Sequence, residues 1–413
     1  MKLLTLLAAA TCSTAIIAQT TVTTAPANAQ QTFYSLQNGV VGSMALADWD
    51  LAFEITGFTA SVLANTAKGM QVYKAPYAIA QWGSLDTNGM NAGWSKAFNS
   101  ETDWSAGAFN QGLTENEFDL GWGVYNFVTH TVVGDSLFVI KLADGSWKKF
   151  RIDGLATSAY SFTWADVNGA NEGTATLNKG NYSGKNFGYF FFATGNTLDP
   201  EPISADWDLV FTKYTSIIPM PAPTAYSVAG VLQNKDIDCL QIDGVDPSLA
   251  DWTSAPLDTT INIIGYDWKT FNMATFMYEY AQDRTYFVKD QAGSIWKLVF
   301  TAYGGGATGD MTFNQELVSA TAVHEASASS GGLIAVYPNP VSNGSATLVI
   351  DATVGVATMS IHDLSGKLVA QEKFTGLNGL VPRNVDVSAL PAGMYTVRLQ
   401  GEGLNGTSRF VIE

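Results

Sequence analysis

The chain has 413 residues, with 37 acidic against 21 basic side chains and a formal net charge of −16. That balance argues against nucleic acid and against docking on an anionic bilayer, since both need clustered Lys and Arg. Apolar content of 46% can build real cores, charged content of 14% is low beside roughly 25% in typical soluble chains, and Gly 39 with 12% aromatics favours strands and turns over helices.

Met1-Lys2, the apolar run Leu3 to Ala10 and the small residues up to Ala18 read as a secretory signal peptide over 1–18. If Cys12 leaves with it, Cys239 is the single remaining cysteine. The exported chain would then be held by its cores rather than by an internal disulfide. No other run has the length of a transmembrane helix.

A long-period repeat organises the rest of the chain. Ala47-Asp48-Trp49-Asp50-Leu51-Ala52-Phe53 returns as Ala205-Asp206-Trp207-Asp208-Leu209-Val210-Phe211, an offset of 158 (205 − 47). Trp, Leu and Phe recur on alternate residues and are expected on one buried face. Asp50, Glu54, Asp208 and Thr212 are expected on the solvated face. A second anchor matches Phe138-Val139-Ile140-Lys141, Gly145 and Lys149-Phe150 to Tyr286-Phe287-Val288-Lys289, Gly293 and Lys297-Leu298, two hairpins offset by 148 (293 − 145). A third sets Phe162-Thr163-Trp164 against Met311-Thr312-Phe313. Tyr34 and Phe192 each lie fifteen residues before the repeated Trp (49 − 34; 207 − 192). Three anchors in one order imply tandem duplication of an all-β module, with copy one over 31–180 and copy two over 186–318. Asp166-Val167-Asn168-Gly169 reads as a β-turn rather than a calcium loop. In Thr270 to Glu279, helical and strand periodicity compete.

Residues 319–332 read as a flexible Ser/Ala/Gly linker that includes His324. Short alternating strands bounded by turn residues then predict a small immunoglobulin-like β-sandwich over 333–413. The fold class is therefore all-β: two duplicated antiparallel β modules plus a C-terminal sandwich.

Tyr337-Pro338-Asn339-Pro340, Asp363-Leu364-Ser365-Gly366-Lys367 and Leu390-Pro391-Ala392-Gly393-Met394-Tyr395 give residues 333–413 a strong resemblance to the type A C-terminal sorting domain of the type IX secretion system of Bacteroidetes. The resemblance implies passage through the outer membrane. It also implies removal of the domain by a sortase during surface attachment or release. Glu413 departs from the basic ending common in that family.

The Trp-Asp-Leu-x-Phe strand and the late hairpin, Tyr286 through Gly293 to Trp296-Lys297, resemble the HmuY-like haem-binding family of the same bacteria. That family is all-β and grips haem between loops with His or Met axial ligands, so the resemblance implies haem or a related porphyrin as ligand. Haem iron takes a neutral lone pair from His or Met. Copy one has a single histidine, His130, and copy two has none, so a His pair within one module is impossible. Met273, Met277 and His130 are the candidate ligands. The competing reading makes Met273 and Met277 core filler beside Phe271 and Phe276. The alternative function is a surface protein without haem, binding a glycan or protein through loops that carry Trp82, Trp94 and Trp104. Catalysis is not expected: no metal-spaced His cluster, nucleophile elbow or phosphate loop is present. A glycosidase carboxylate pair stays open.

Overall fold

The computed structural model describes residues 18–319 and 333–412, apart from positions 58, 115, 117, 220–221, 338, 340, 343, 353, 364–366, 378–379 and 402–403. The signal-peptide reading, except Ala18, and the linker reading, except Ser319, fall outside the described residues, as do Cys12, His324, Glu413 and the centre of the 363–367 turn. The chain divides into two compact units, Met1–Thr321 and Ala322–Glu413.

The first unit holds both copies, and its strand pairing shows where each begins. In one module a large antiparallel sheet runs in the order Gly173–Asn178, Ala159–Asp166, Trp147–Ala156, Ser136–Lys141, Gln71–Ala78 and Lys96–Ala97. A small sheet runs Asn196–Leu198, Phe187–Phe191, Leu51–Glu54, Val62–Ala64. The other module repeats both. Its large sheet runs Ala18–Thr23, Asp310–Ser319, Ile295–Tyr303, Thr285–Lys289, Asp238–Ile242, and its small sheet Gly39–Ala45, Gln30–Ser35, Leu209–Pro219, Pro223–Gln233. The contiguous module therefore runs from about Leu46 to Leu198. Its partner is discontinuous: strands from Ala18 to Ala45 complete the sheets of residues 204–319.

This pairing revises the copy boundaries drawn from the sequence. Tyr34 pairs with Leu209, and Phe190 pairs with Leu51. Each aromatic strand thus lies beside one Trp strand, Gln30–Ser35 beside Leu209–Pro219 and Phe187–Phe191 beside Leu51–Glu54. The true counterpart of Tyr34 is Phe190, two residues before Phe192. The third anchor slides by two as well. Trp164 and Gln315 occupy the same slot, opposite Phe150 and Leu298, so Phe162 corresponds to Phe313. Phe162 stacks on Phe53 at 4.8 Å and Phe313 on Phe211 at 5.8 Å, interplanar 20° and 17°. The hairpin anchor stands: Phe138 faces Phe150 as Tyr286 faces Leu298. Its turn glycines, Gly145 and Gly293, have φ of 86° and 87°, a region open to glycine at little cost.

The Trp strand departs from simple alternation. Short 3₁₀ turns, Leu46–Asp48 and Ser204–Asp206, end at Trp49 and Trp207, and the strands begin two residues later, at Leu51 and Leu209. Leu51 and Phe53 enter the core of the contiguous module, and Leu209 and Phe211 that of its partner. Trp49, Ala52, Trp207 and Val210 turn the other way, into an apolar cluster shared by both modules. The two small sheets thus bury both faces, and the same patch of each copy meets the other, as in an isologous interface.

Asp50, Glu54 and Asp208 are buried rather than solvated, whereas Asp48 and Asp206 at the preceding turns are exposed. Asp50 Oδ2 accepts from Phe192 N at 2.7 Å, and Asp208 Oδ2 accepts from Leu36 N at 2.7 Å. The second oxygens meet Lys68 Nζ at 2.7 Å and Gln291 N at 2.9 Å. Glu54 accepts from Thr59 Oγ1 and Ser61 N and pairs with Lys235 of the other module. Thr212 is buried and donates to Lys213 O. Burial of such groups is tolerated because every carboxylate oxygen has a donor.

The second unit is a sandwich of a three-stranded sheet, Leu333–Tyr337, Ser345–Asp351, Leu380–Asp386, and a four-stranded sheet, Leu368–Leu377, Val354–Asp363, Gly393–Gly401, Leu404–Ile412. Alternate residues such as Leu348, Ile350, Met359, Ile361, Val397 and Leu399 fill its core. The all-β expectation holds throughout.

Candidate functional site

Two equivalent hairpins carry the ligand candidates named from the sequence. Gly123–Asn126 pairs with Thr131–Gly134, and Lys269–Asn272 pairs with Met277–Tyr280, which resolves the ambiguous 270–279 segment as strands. Both turns are built alike. Asn126 Oδ1 accepts from the N–H groups of Val128 and Thr129, and Asn272 Oδ1 from those of Ala274 and Thr275. His130 N donates to Asn126 O and Phe276 N to Asn272 O, both at 2.8 Å, and both residues have positive φ, 54° and 55°. His130 and Phe276 are therefore counterparts.

Met273 and Met277 are 73% and 67% exposed. The reading of them as core filler fails, because the turn carries them past the last covering strand. Phe276 is also exposed, and Phe271 packs on Tyr278 at 5.1 Å. Met311, in contrast, is fully buried. His130 sits on the other hairpin, its Nδ1 2.9 Å from Tyr125 Oη. The structure thus brings Met273 and Met277 together at one tip and places His130 on the equivalent tip of the other module. None of the three lines the inter-module groove or the smaller cavity between the modules.

The three loop tryptophans separate. Trp104 is half-buried, donates to Gln233 O at 2.8 Å and joins the modules. Trp82 donates to Glu172 at 2.9 Å and carries Lys149 and Arg151 over its ring, at 4.5 and 4.9 Å. Trp94 is half-buried against Tyr77 and borders an open groove of about 880 Å³. Lys96, Asn99, Ser100 and Glu101 line the groove from one module and Thr215 and Ile217 from the other. Lys74 lies there too, but its ammonium already donates to the carbonyls of Gln111, Gly112 and Gly121. Glu101 Oε1 accepts from Ile217 N. Sequence reading missed this groove because its walls come from segments more than a hundred residues apart.

A second, smaller cavity lies in the shared apolar cluster, near Trp49, Trp207 and Glu201. Glu201 accepts from Asn186 N at 2.9 Å and Tyr189 Oη at 2.8 Å, and burial pushes its carboxyl up to about 7. Asn186 donates on to Asn234, so this network spans both modules.

Fold and cavities define an all-β protein: two facing modules followed by a separate sandwich. The secretion system C-terminal sorting domain family model matches residues 335–413, which makes the sandwich a sorting domain of the type IX secretion machinery. The chain is accordingly a secreted or surface-attached protein. No helix among the described residues is long and apolar enough to cross a membrane. No curated protein matches the chain. Among solved structures, Escherichia coli alpha-2-macroglobulin activated by porcine elastase aligns at 10% identity over 93% of this chain and 50% of that one, with a TM-score of 0.15, too low to bear on fold or function. The chain spans about half the length of that structure.

Proposed function

We propose that the two modules form a non-catalytic binding protein displayed outside the cell, and that its ligand lies along the inter-module groove. The observation behind this reading is the groove itself. Its size falls within the range of about 300–1,000 Å³ common for ligand sites, and it combines two aromatic side chains, Trp94 and Phe98, with amide, hydroxyl and charged side chains. A sugar ring presents apolar C–H faces to an aromatic and hydroxyls to such groups, so an extended glycan suits it. Glycan-array binding by the full chain, lost in Trp94→Ala with folding intact, is the expected result. Binding that survives Trp94→Ala would move the site elsewhere, and an array without binders would reject the glycan.

A second reading keeps haem, on the strength of the HmuY-like resemblance and of the exposed Met273 and Met277 thioethers beside Phe271 and Phe276. The test is a haem titration read at the Soret band, repeated on Met273→Ala, Met277→Ala and His130→Ala. An unchanged spectrum in the intact protein rejects it.

A further inference from the structure

The apolar cluster between the modules is incompletely filled. A cavity of about 80 Å³ opens in it, with walls that include Phe33, Leu63, Tyr189, Val210 and Leu232. Trp49, Trp207, Asn65 and Tyr214 also line it. Trp49 Nε1, Trp207 Nε1, Asn65 Oδ1 and Tyr214 Oη are buried with no hydrogen-bond partner within the chain. The Trp49, Trp207 and Asn65 residues are only 7%, 2% and 1% exposed. A buried polar group left unpaired forfeits its hydration without return, and folded proteins pair the great majority of such groups. Several such groups around one cavity point to an occupant that pairs them.

The chemistry of the lining restricts that occupant. An indole N–H only donates, an amide oxygen only accepts, and a phenol does both. The complementary molecule carries an acceptor oxygen for the two indoles and a donor for Asn65. A net charge of either sign is disfavoured, because the lining carries one carboxyl, Glu201, and one ammonium, Lys213, and much of the rest is apolar. The volume corresponds to about three waters at ~30 Å³ each, the size of a molecule with a few non-hydrogen atoms. Thr66, Ala67 and Lys213 of the lining are half-buried, so part of the wall reaches the surface.

We propose that the cavity between the modules binds a small uncharged molecule bearing an amide or hydroxyl group, held by the indole N–H groups of Trp49 and Trp207. Trp49 and Trp207 are counterparts, so the occupant sits where the two copies face each other. This site is separate from the groove.

The test titrates the full chain, labelled with ¹⁵N at tryptophan, with acetamide. The indole resonances of Trp49 and Trp207, assigned with Trp49→Phe and Trp207→Phe, are expected to move together and saturate, while those of Trp82 and Trp94 stay put. Phe retains most of the ring packing and removes the donor, so the double variant should bind about tenfold more weakly or worse. If that variant fails to fold, Tyr214→Phe removes a buried lining hydroxyl with less disturbance and should also weaken binding. A crystal of the full chain soaked in acetamide should show its oxygen at the indoles. Shifts that rise linearly without saturating overturn the proposal, as does a soaked crystal with waters alone in the cavity.

Discussion

Tyr34 is the strand partner of Leu209, and its ring meets Phe211 and Phe313 at 5.8 and 5.7 Å. The first strands of the chain therefore belong to the core of the last strands of the same unit. Val22 and Leu36 lie in that core as well. Duplication produced two modules, but the chain closes the second one with its own beginning.

This closure predicts which fragments fold. A fragment spanning 46–198 contains every strand of the contiguous module, whereas 31–180 lacks Phe190 and Phe192, both buried in that module's core. Circular dichroism of the two on heating should show a cooperative β transition for the first and none for the second. Equal melting of both fragments would contradict the assignment.

Asn65 and Asn234 perform the same task. Asn65 Nδ2 donates to Leu46 O and Trp49 O, and Asn234 Nδ2 to Ser204 O and Trp207 O, all at 2.7–3.0 Å. Each amide clamps the turn that presents a buried Trp. Replacing either with Ala strands two carbonyls, and should lower stability by about 2–4 kcal/mol in urea unfolding. Substitution of the exposed Asn88 should leave stability within about 0.5 kcal/mol.

Glu201 makes the stability of the modules depend on pH. Its carboxyl is raised from 4.5 to about 7 by burial. A raised folded value means the native state holds the proton more tightly than the unfolded chain. The associated stability is complete below about 4.5 and is lost as pH rises through about 7. The full shift corresponds to about 3 kcal/mol by linkage. Stability against unfolding, measured from pH 5 to 8, should therefore fall with rising pH, and Glu201→Gln should flatten that slope.

The hairpin tip and the core predict opposite outcomes for chemically identical changes. Met273→Ala and Met277→Ala should each alter stability by less than about 0.5 kcal/mol, because both side chains are in solvent. Met311→Ala empties a fully buried site and should cost about 2–5 kcal/mol. Thermal unfolding of the three variants separates the cases.

Much of the architecture was legible from local pattern. Period-two alternation announced an all-β chain, the Lys–Gly hairpin gave the repeat in correct register, and the Tyr337 and Leu390 motifs marked the sorting sandwich. The repeat's third anchor and the Phe192 match were off by two residues, since a slip of two preserves the face of a strand and leaves no trace in the pattern. Asp50 and Asp208 looked solvated because alternation alone cannot foresee that backbone N–H groups from Phe192 and Leu36 will reach them.

By itself the sequence determined the strand content, the duplication and the sorting tail, because each is written in residues close together along the chain. Only the tertiary structure decided that Ala18–Ala45 completes the distant module, that Trp49 and Trp207 meet in one cluster, and that the groove and cavity form between copies. Those outcomes depend on which buried faces find each other across more than a hundred residues, and no local periodicity encodes that choice.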